Sequence, residues 1–278
     1  MSISLKNIGG LQSIVSYSAG TAGSPAPWSN TKSLDFDGSD AFNPDIPTAD
    51  FQTILRDSHS VSFWVKHSWL QTCDFIGLID NSSALSPAIR LNFVYYMPTL
   101  TFLQFQSKLG GGNSASMFLM NHASTTDADS WVHFCYSDTK AATAATVGSY
   151  VLYINGTAAY TGATTSAAFQ AATIATDDRG FYFGALNNSG IATQANCISK
   201  IDEIAYFNTD LSPESVAAIY NLGVAKDIRS DYTSGSNDYD QSSALVHYYR
   251  LEDDTTDSQG GNDGVLVGDP TYSTETPS

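Results

Sequence analysis

The segment SYVLYINGTAAYTG, residues 149–162, leaves the chain little choice of local structure. Tyr150, Leu152 and Ile154 recur at every second position, which puts them together on one face of a strand. Asn155-Gly156 then supplies two residues that tolerate positive φ, the requirement of a type I′ hairpin turn. The same period-two pattern returns along most of the chain. SLDFDGSDAF (33–42) sets Leu34 and Phe36 against Asp35 and Asp37 and turns at Asp37-Gly38. HSVSFWVKHS (59–68) places Val61, Phe63 and Val65 on one face. DFIGLID (74–80), IRLNFVYY (89–96), TLTFLQFQ (99–106), WVHFCYS (131–137), GFYFGAL (180–186) and SKIDEIAYFN (199–208) are also rich in aromatic and β-branched residues. About a dozen strands follow from this reading, and the fold class is all-β.

One helix interrupts the pattern. In LSPESVAAIYNLG (211–223), Ser212 is a good N-cap, Pro213 suits the first helical position and Glu214 favours the positive helix end. Leu211 and Val216 occupy staple positions, and Gly223 offers a left-handed stop. Residues 227–278 follow, with 11 acidic and 2 basic side chains. By charge alone they read as a tail. Yet ALVHYYRL (244–251) and DGVLVGDPTY (263–272) have strand composition, and a solvated tail has no use for Val246, Tyr248, Tyr249, Leu251, Val265 and Leu266. The segment is expected to fold. Between its strands, EDDTTDSQGGNDG (252–264) mixes carboxylates with glycines, which let carbonyls turn inward toward a cation. Residues 1–30, rich in Gly, Ser, Ala and Pro, read as an extended docking arm.

Charge excludes one class of partner. The formal net charge of −16 carries no offsetting Lys/Arg cluster, so nucleic acid is not expected. No apolar run approaches the length of about 18 residues that a membrane-spanning helix needs, and the N-terminus lacks a signal-type core. Cys73, Cys135 and Cys197 are odd in number and widely spaced, and are expected to be reduced and buried. Synthesis in a reducing cytoplasm is the matching expectation. His59, His67, His122, His133 and His247 show no metal-ligand spacing, and no nucleophile-elbow, zinc-protease or phosphate-loop motif occurs.

SLDFDGSDAF, SVSFWVK, WVHFCYSD, YVLYINGTAAYTG and KIDEIAYFNTDLSPESVAAIYNLG, in this order, resemble the laminin-G-like, pentraxin-like branch of the concanavalin A-like lectin/glucanase superfamily. The resemblance implies a jelly-roll sandwich of two antiparallel sheets with one short helix toward the C-terminal side. It implies one domain over 31–278, completed by C-terminal strands within 244–272. In many members the segment similar to LVHYYRLEDDTTDSQGGNDG precedes the FDG strand; here it follows the helix. That order is similar to virion proteins of marine tailed phages, which implies a non-enzymatic structural protein on the virion exterior. Other virion proteins, copies of the same chain and a cell-surface glycan would be its partners.

The glucanases of this superfamily carry Glu-x-Asp-x-x-Glu on one strand, because residues two apart share a face and can meet the scissile bond together. Here those positions hold Lys200, Asp202 and Ala205, and strict alternation sends Glu203 to the face opposite Asp202. Catalysis is therefore not expected. A structural calcium ion, as in relatives, would draw on Asp202, Glu252, Asp257 and Asn262, although the loop is one residue shorter than the usual pattern. A lectin-type sugar site would need an aromatic platform, for which Trp69, Tyr95, Tyr96 and Trp28 are candidates.

Overall fold

A computed structural model describes residues 28–47, 50–51, 54, 57–67, 73–79, 90–96, 102–108, 115–121, 129–139, 148–164, 182–188, 191–193 and 197–278. Most of the expected N-terminal arm, residues 1–27, lies outside these.

The chain opens with β1 (Ser33–Asp37) and β2 (Ala41–Asn43), then β3 (His59–His67) and β4 (Cys73–Ile79). β5 (Arg90–Tyr96), β6 (Phe102–Lys108) and β7 (Ala115–Asn121) form a meander. β8 (Trp131–Thr139), β9 (Gly148–Ile154) and β10 (Thr157–Thr164) form a second one. Short strands β11 (Tyr182–Phe183), β12 (Leu186–Asn188) and β13 (Ile191–Thr193) lead to the long β14 (Ile198–Phe207) and helix α1 (Pro213–Tyr220). After the helix come the hairpin β15 (Tyr232–Ser234) and β16 (Asn237–Tyr239), then β17 (Leu245–Tyr249), β18 (Val265–Val267) and β19 (Thr271–Ser273).

Among the described residues these strands make two large sheets. The first runs β10-β9-β8-β3-β14-β1-β19, with β17 also paired to β14; the second runs β18-β2-β11-β4-β5-β6-β7, with β12 and β13 attached to β4. Pairing is antiparallel except between β12 and β4. Phe63 and Phe134 of the first sheet and Phe42 and Phe183 of the second meet between the layers, all fully buried. Tyr150 and Leu152 join them and Ile154 packs at the margin, so the hairpin alternation reaches the core as expected. The turn has φ of 49° at Asn155 and 73° at Gly156. No described helix is long and apolar enough to cross a membrane.

The segment after the helix is built into both layers. β17 pairs with the second half of β14, β18 with β2 and β19 with β1. A second apolar cluster forms on the outer face of the first sheet, where Val216 and Ile219 of α1 pack with Phe207, Tyr239 and Tyr248. Ser212 caps α1 by accepting from the Ser215 N–H at 3.1 Å. The stop differs from expectation. Asn221, not Gly223, takes the left-handed cap conformation, with Leu222 and Gly223 continuing at positive φ.

Of the described cysteine side chains, Cys135 matches the sequence reading and Cys197 departs from it. Cys135 is free and buried, with its thiol pushed up by desolvation, whereas Cys197 is disulfide-bonded. Spacing along the chain carries no information on which distant residues a sandwich brings together.

Candidate functional site

The predicted metal residues begin on β14. Its register with β3 shifts between Asp202, opposite Trp64, and Ala205, opposite Ser62, so β14 holds one extra residue there. Glu203 absorbs it with a φ of 52°. The bulge resets the alternation: Ile201 and Ile204 both enter the inter-sheet core. Asp202 and Glu203 therefore leave by the outer face together, correcting the expectation that they point apart.

Both carboxyls are sealed, Asp202 at 0% exposure and Glu203 at 5%. Asp202 accepts from the Glu203 N–H at 3.0 Å and from Asn30 Nδ2 at 2.9 Å. Glu203 accepts from the Tyr248 hydroxyl. The Arg250 Nε stands 4.0 Å from Glu203, and its guanidinium lies over the Trp28 ring at 5.4 Å. Glu252 accepts from the Thr31 N–H at 2.8 Å and sits 3.6 Å from Arg250. Burial first, and the neighbouring carboxylates second, hold the Glu203 carboxyl well above the usual range. Asp202 is raised in the same direction, burial and Glu252 outweighing the hydrogen bond from Asn30.

Asp257 stands elsewhere. It bridges to Tyr249 on the side of β17 away from β14, about two strand spacings of ~4.8 Å from Ile204. One of its oxygens accepts from the N–H groups of Tyr248 (2.9 Å), Gln259 (3.1 Å) and Gly260 (2.9 Å). The other accepts from His247 Nδ1 (2.8 Å) and the Asn262 N–H (3.2 Å). Burial raises its pKa, but His247 and the loop N–H groups outweigh burial and hold it below the usual carboxylate range. The Asn262 carbonyl lies 3.0 Å from the Tyr249 hydroxyl.

The structure thus divides the four predicted calcium ligands between two places. A hard cation needs about six to eight oxygens with free lone pairs. A carboxylate has about four lone-pair sites, and at Asp257 five N–H donors converge on them. Asp257 and Asn262 do not fit one ion shared with Asp202 and Glu252. No group of three or more His, Cys, Asp or Glu among the described residues is placed to hold a metal.

Beside Asp257 lies an open cleft of about 280 Å³, lined by Asp50, Ile54, Asn208, Val246, His247 and Asn262. Gly260, on an exposed loop, also lines it. A Cβ there would meet His247 Nδ1 at 2.5 Å and the Asp257 carboxylate at 2.6 Å. The absence of metal-ligand spacing gives His247 no role in the sequence. The usable signal was a histidine on the strand leading into a loop whose one buried carboxylate it can reach.

Trp28 is not among the described residues that line this cleft. Trp69 lies outside the described residues, as do the side chains of Tyr95 and Tyr96, whose backbones pair with Leu103 and Phe102. Trp28 is engaged by Arg250.

Two facing antiparallel sheets, a short capped helix on the outer face and a terminal segment adding strands to both layers define a lectin-type jelly roll. The chain belongs to Laminin_G_3 of the concanavalin A-like lectin/glucanases superfamily, which matches residues 37–217. A candidate carbohydrate binding protein from Bacteroides ovatus superposes with a TM-score of 0.52 at 15% identity, over 89% of this chain and 60% of that one. The present chain therefore spans less than two thirds of that protein. The CBM40 module of the Ruminococcus gnavus IT-sialidase, bound to alpha2,3 sialyllactose, gives a TM-score of 0.50 at 11% identity, over 69% of this chain and 100% of that one. At such identities the likeness is one of fold. No curated protein matches the chain.

Proposed function

We propose that this chain is a glycan-binding module that holds sugar without cleaving it. The observation that carries the reading is the open cleft beside His247, a concave site with hydrogen-bonding groups set in an apolar wall. The fold supports it, since similar structures include a candidate carbohydrate binding protein and a module bound to sialyllactose. Hydrolysis is disfavoured on chemical grounds. Lys200 and Ala205 replace two of the three glucanase carboxylates, and Asp202 is sealed from any substrate. Binding of the full chain to a glycan array, with titration calorimetry on any hit, tests the reading. No binding up to millimolar sugar, or release of reducing ends, overturns it.

The place of action we propose is the exterior of a tailed-phage particle, from the order of segments and the acidic, low-charge composition. A bonded Cys197 suits work outside a reducing cytoplasm. Mass spectrometry of purified particles tests this separately, and absence of the chain from them removes it.

A further inference from the structure

We propose that the cleft beside His247 is a neutral-sugar site that excludes sialylated and uronate glycans. The inference rests on the glycan-binding reading and narrows it. Recognition of an acidic sugar needs cationic side chains or a nest of free N–H groups. Among the described residues the cleft has neither: its described lining carries no lysine or arginine, and Asp50 is the carboxylate among them. The glycine loop does turn N–H groups inward, as an anion site would. Those of Gln259, Gly260 and Asn262 are all taken by Asp257. The protein supplies its own carboxylate to the place where a sialate would bind.

What remains is rich in acceptors. The Asp257 carboxylate is ionised and only accepts, so His247 Nδ1 carries the proton toward it. With Nδ1 committed to Asp257, Nε2 is the ring nitrogen left for an occupant. Gly260 packs against Nδ1 and fixes the ring. Asp50 adds an acceptor, and the Asn208 and Asn262 amides can both accept and donate. Sugar hydroxyls donate and accept in close pairs, which matches this set. Ile54 and Val246 supply apolar contact for the C–H face of a ring. The surroundings reinforce the sign of the selection, because Asp257, Asp45 and Asp263 all act on the nearby Tyr249 hydroxyl. The net charge of −16 opposes the approach of any polyanion. A volume of about 280 Å³ lies at the small end of ligand pockets, so the cleft seats one or two rings of a longer chain.

The test compares unsubstituted oligosaccharides of glucose, galactose, mannose and N-acetylhexosamines with sialylated and uronate-containing counterparts. It uses the full chain, wild type and two variants. His247→Ala removes the imidazole from the cleft, and Asn208→Ala removes an exposed wall residue without touching the Asp257 network. The expected result is binding to a neutral series only, weakened about tenfold or more in each variant, with the melting midpoint of Asn208→Ala unchanged. Preference for the acidic series overturns the proposal. Neutral binding that neither variant weakens moves the site elsewhere and leaves the glycan reading standing. A blank result on both series overturns the glycan reading and this inference together.

Discussion

Replacing Asp257 by alanine should cost far more than replacing it by asparagine, and the difference can be worked from its partners. Alanine strands five donors. Three of them, on Gln259, Gly260 and Asn262, belong to an outward loop where water can take over. The other two, the Tyr248 N–H and His247 Nδ1, are buried with β17. Each buried donor left unsatisfied costs about 1–3 kcal/mol, and the loop adds a further fraction. A total of about 2–6 kcal/mol follows, a fall of roughly 4–24 °C in the melting midpoint for a domain this large. Asparagine keeps one oxygen for Tyr248, Gln259 and Gly260. Its amide donates to His247 Nδ1 once the ring changes tautomer. Only the Asn262 N–H is lost, for about 1 kcal/mol. Thermal melts and urea titrations of the three proteins measure this. Equal losses in the two variants, or a loss below about 1 kcal/mol in the alanine variant, would refute the account. Calcium supplies a second arm. If Asp257 were an ion ligand, millimolar calcium would raise the wild-type midpoint and asparagine would abolish the rise; the geometry predicts no response through this residue.

Three further outcomes are expected. The raised carboxyls of Asp202 and Glu203 bind protons more firmly folded than unfolded, so their contribution is full below the ordinary carboxylate pKa of about 4 and fades as pH rises through their folded values. Asp257 acts oppositely, its contribution fading as pH falls below about 4. Glu203→Gln should therefore raise the midpoint at pH 8 and leave it unchanged at pH 4; an equal loss at all pH values in a melt series would contradict this. Gly260→Ala should destabilise by about 1–3 kcal/mol through overpacking against His247 and Asp257 and should weaken sugar binding, both readable in one set of samples. Ser212→Ala should cost about 1 kcal/mol through the lost cap in a urea titration while leaving the cleft's ligand affinity intact.

Much of the fold was legible because burial enforces period two. Tyr150, Leu152 and the Asn155-Gly156 turn behave as their pattern requires. The folded C-terminal segment was legible from Tyr248, Tyr249 and Leu251, all fully buried, whereas Val265 of β18 stays 48% exposed because its side faces solvent. The β14 bulge was legible in principle, since Ile201 and Ile204 are three apart and strict alternation cannot bury both. The loop chemistry was not. Glycines permit either pole of the peptide to face inward, and the sequence reading chose carbonyls for a cation where the chain presents N–H groups to Asp257. That choice depends on where β17 delivers His247 and Asp257, which no local pattern encodes. The helix stop failed for a smaller reason: Asn221 also tolerates the left-handed region and comes two residues before Gly223.

Strand β1 has a consequence for how the protein is made. Leu34 pairs across to Ile201 on one side and Tyr272 on the other. Leu34 and Phe36 are apolar and, once folded, fully enclosed. On the ribosome they emerge early, while both sheet neighbours lie more than 160 residues downstream. At about 5–20 residues per second, roughly 10–50 s separate the appearance of β1 from that of β19. Through that interval the nascent chain carries an unpaired apolar strand that its own later sequence alone can cover. A need for chaperone holding, and a yield that depends on translation speed, are the outcomes this strand order predicts.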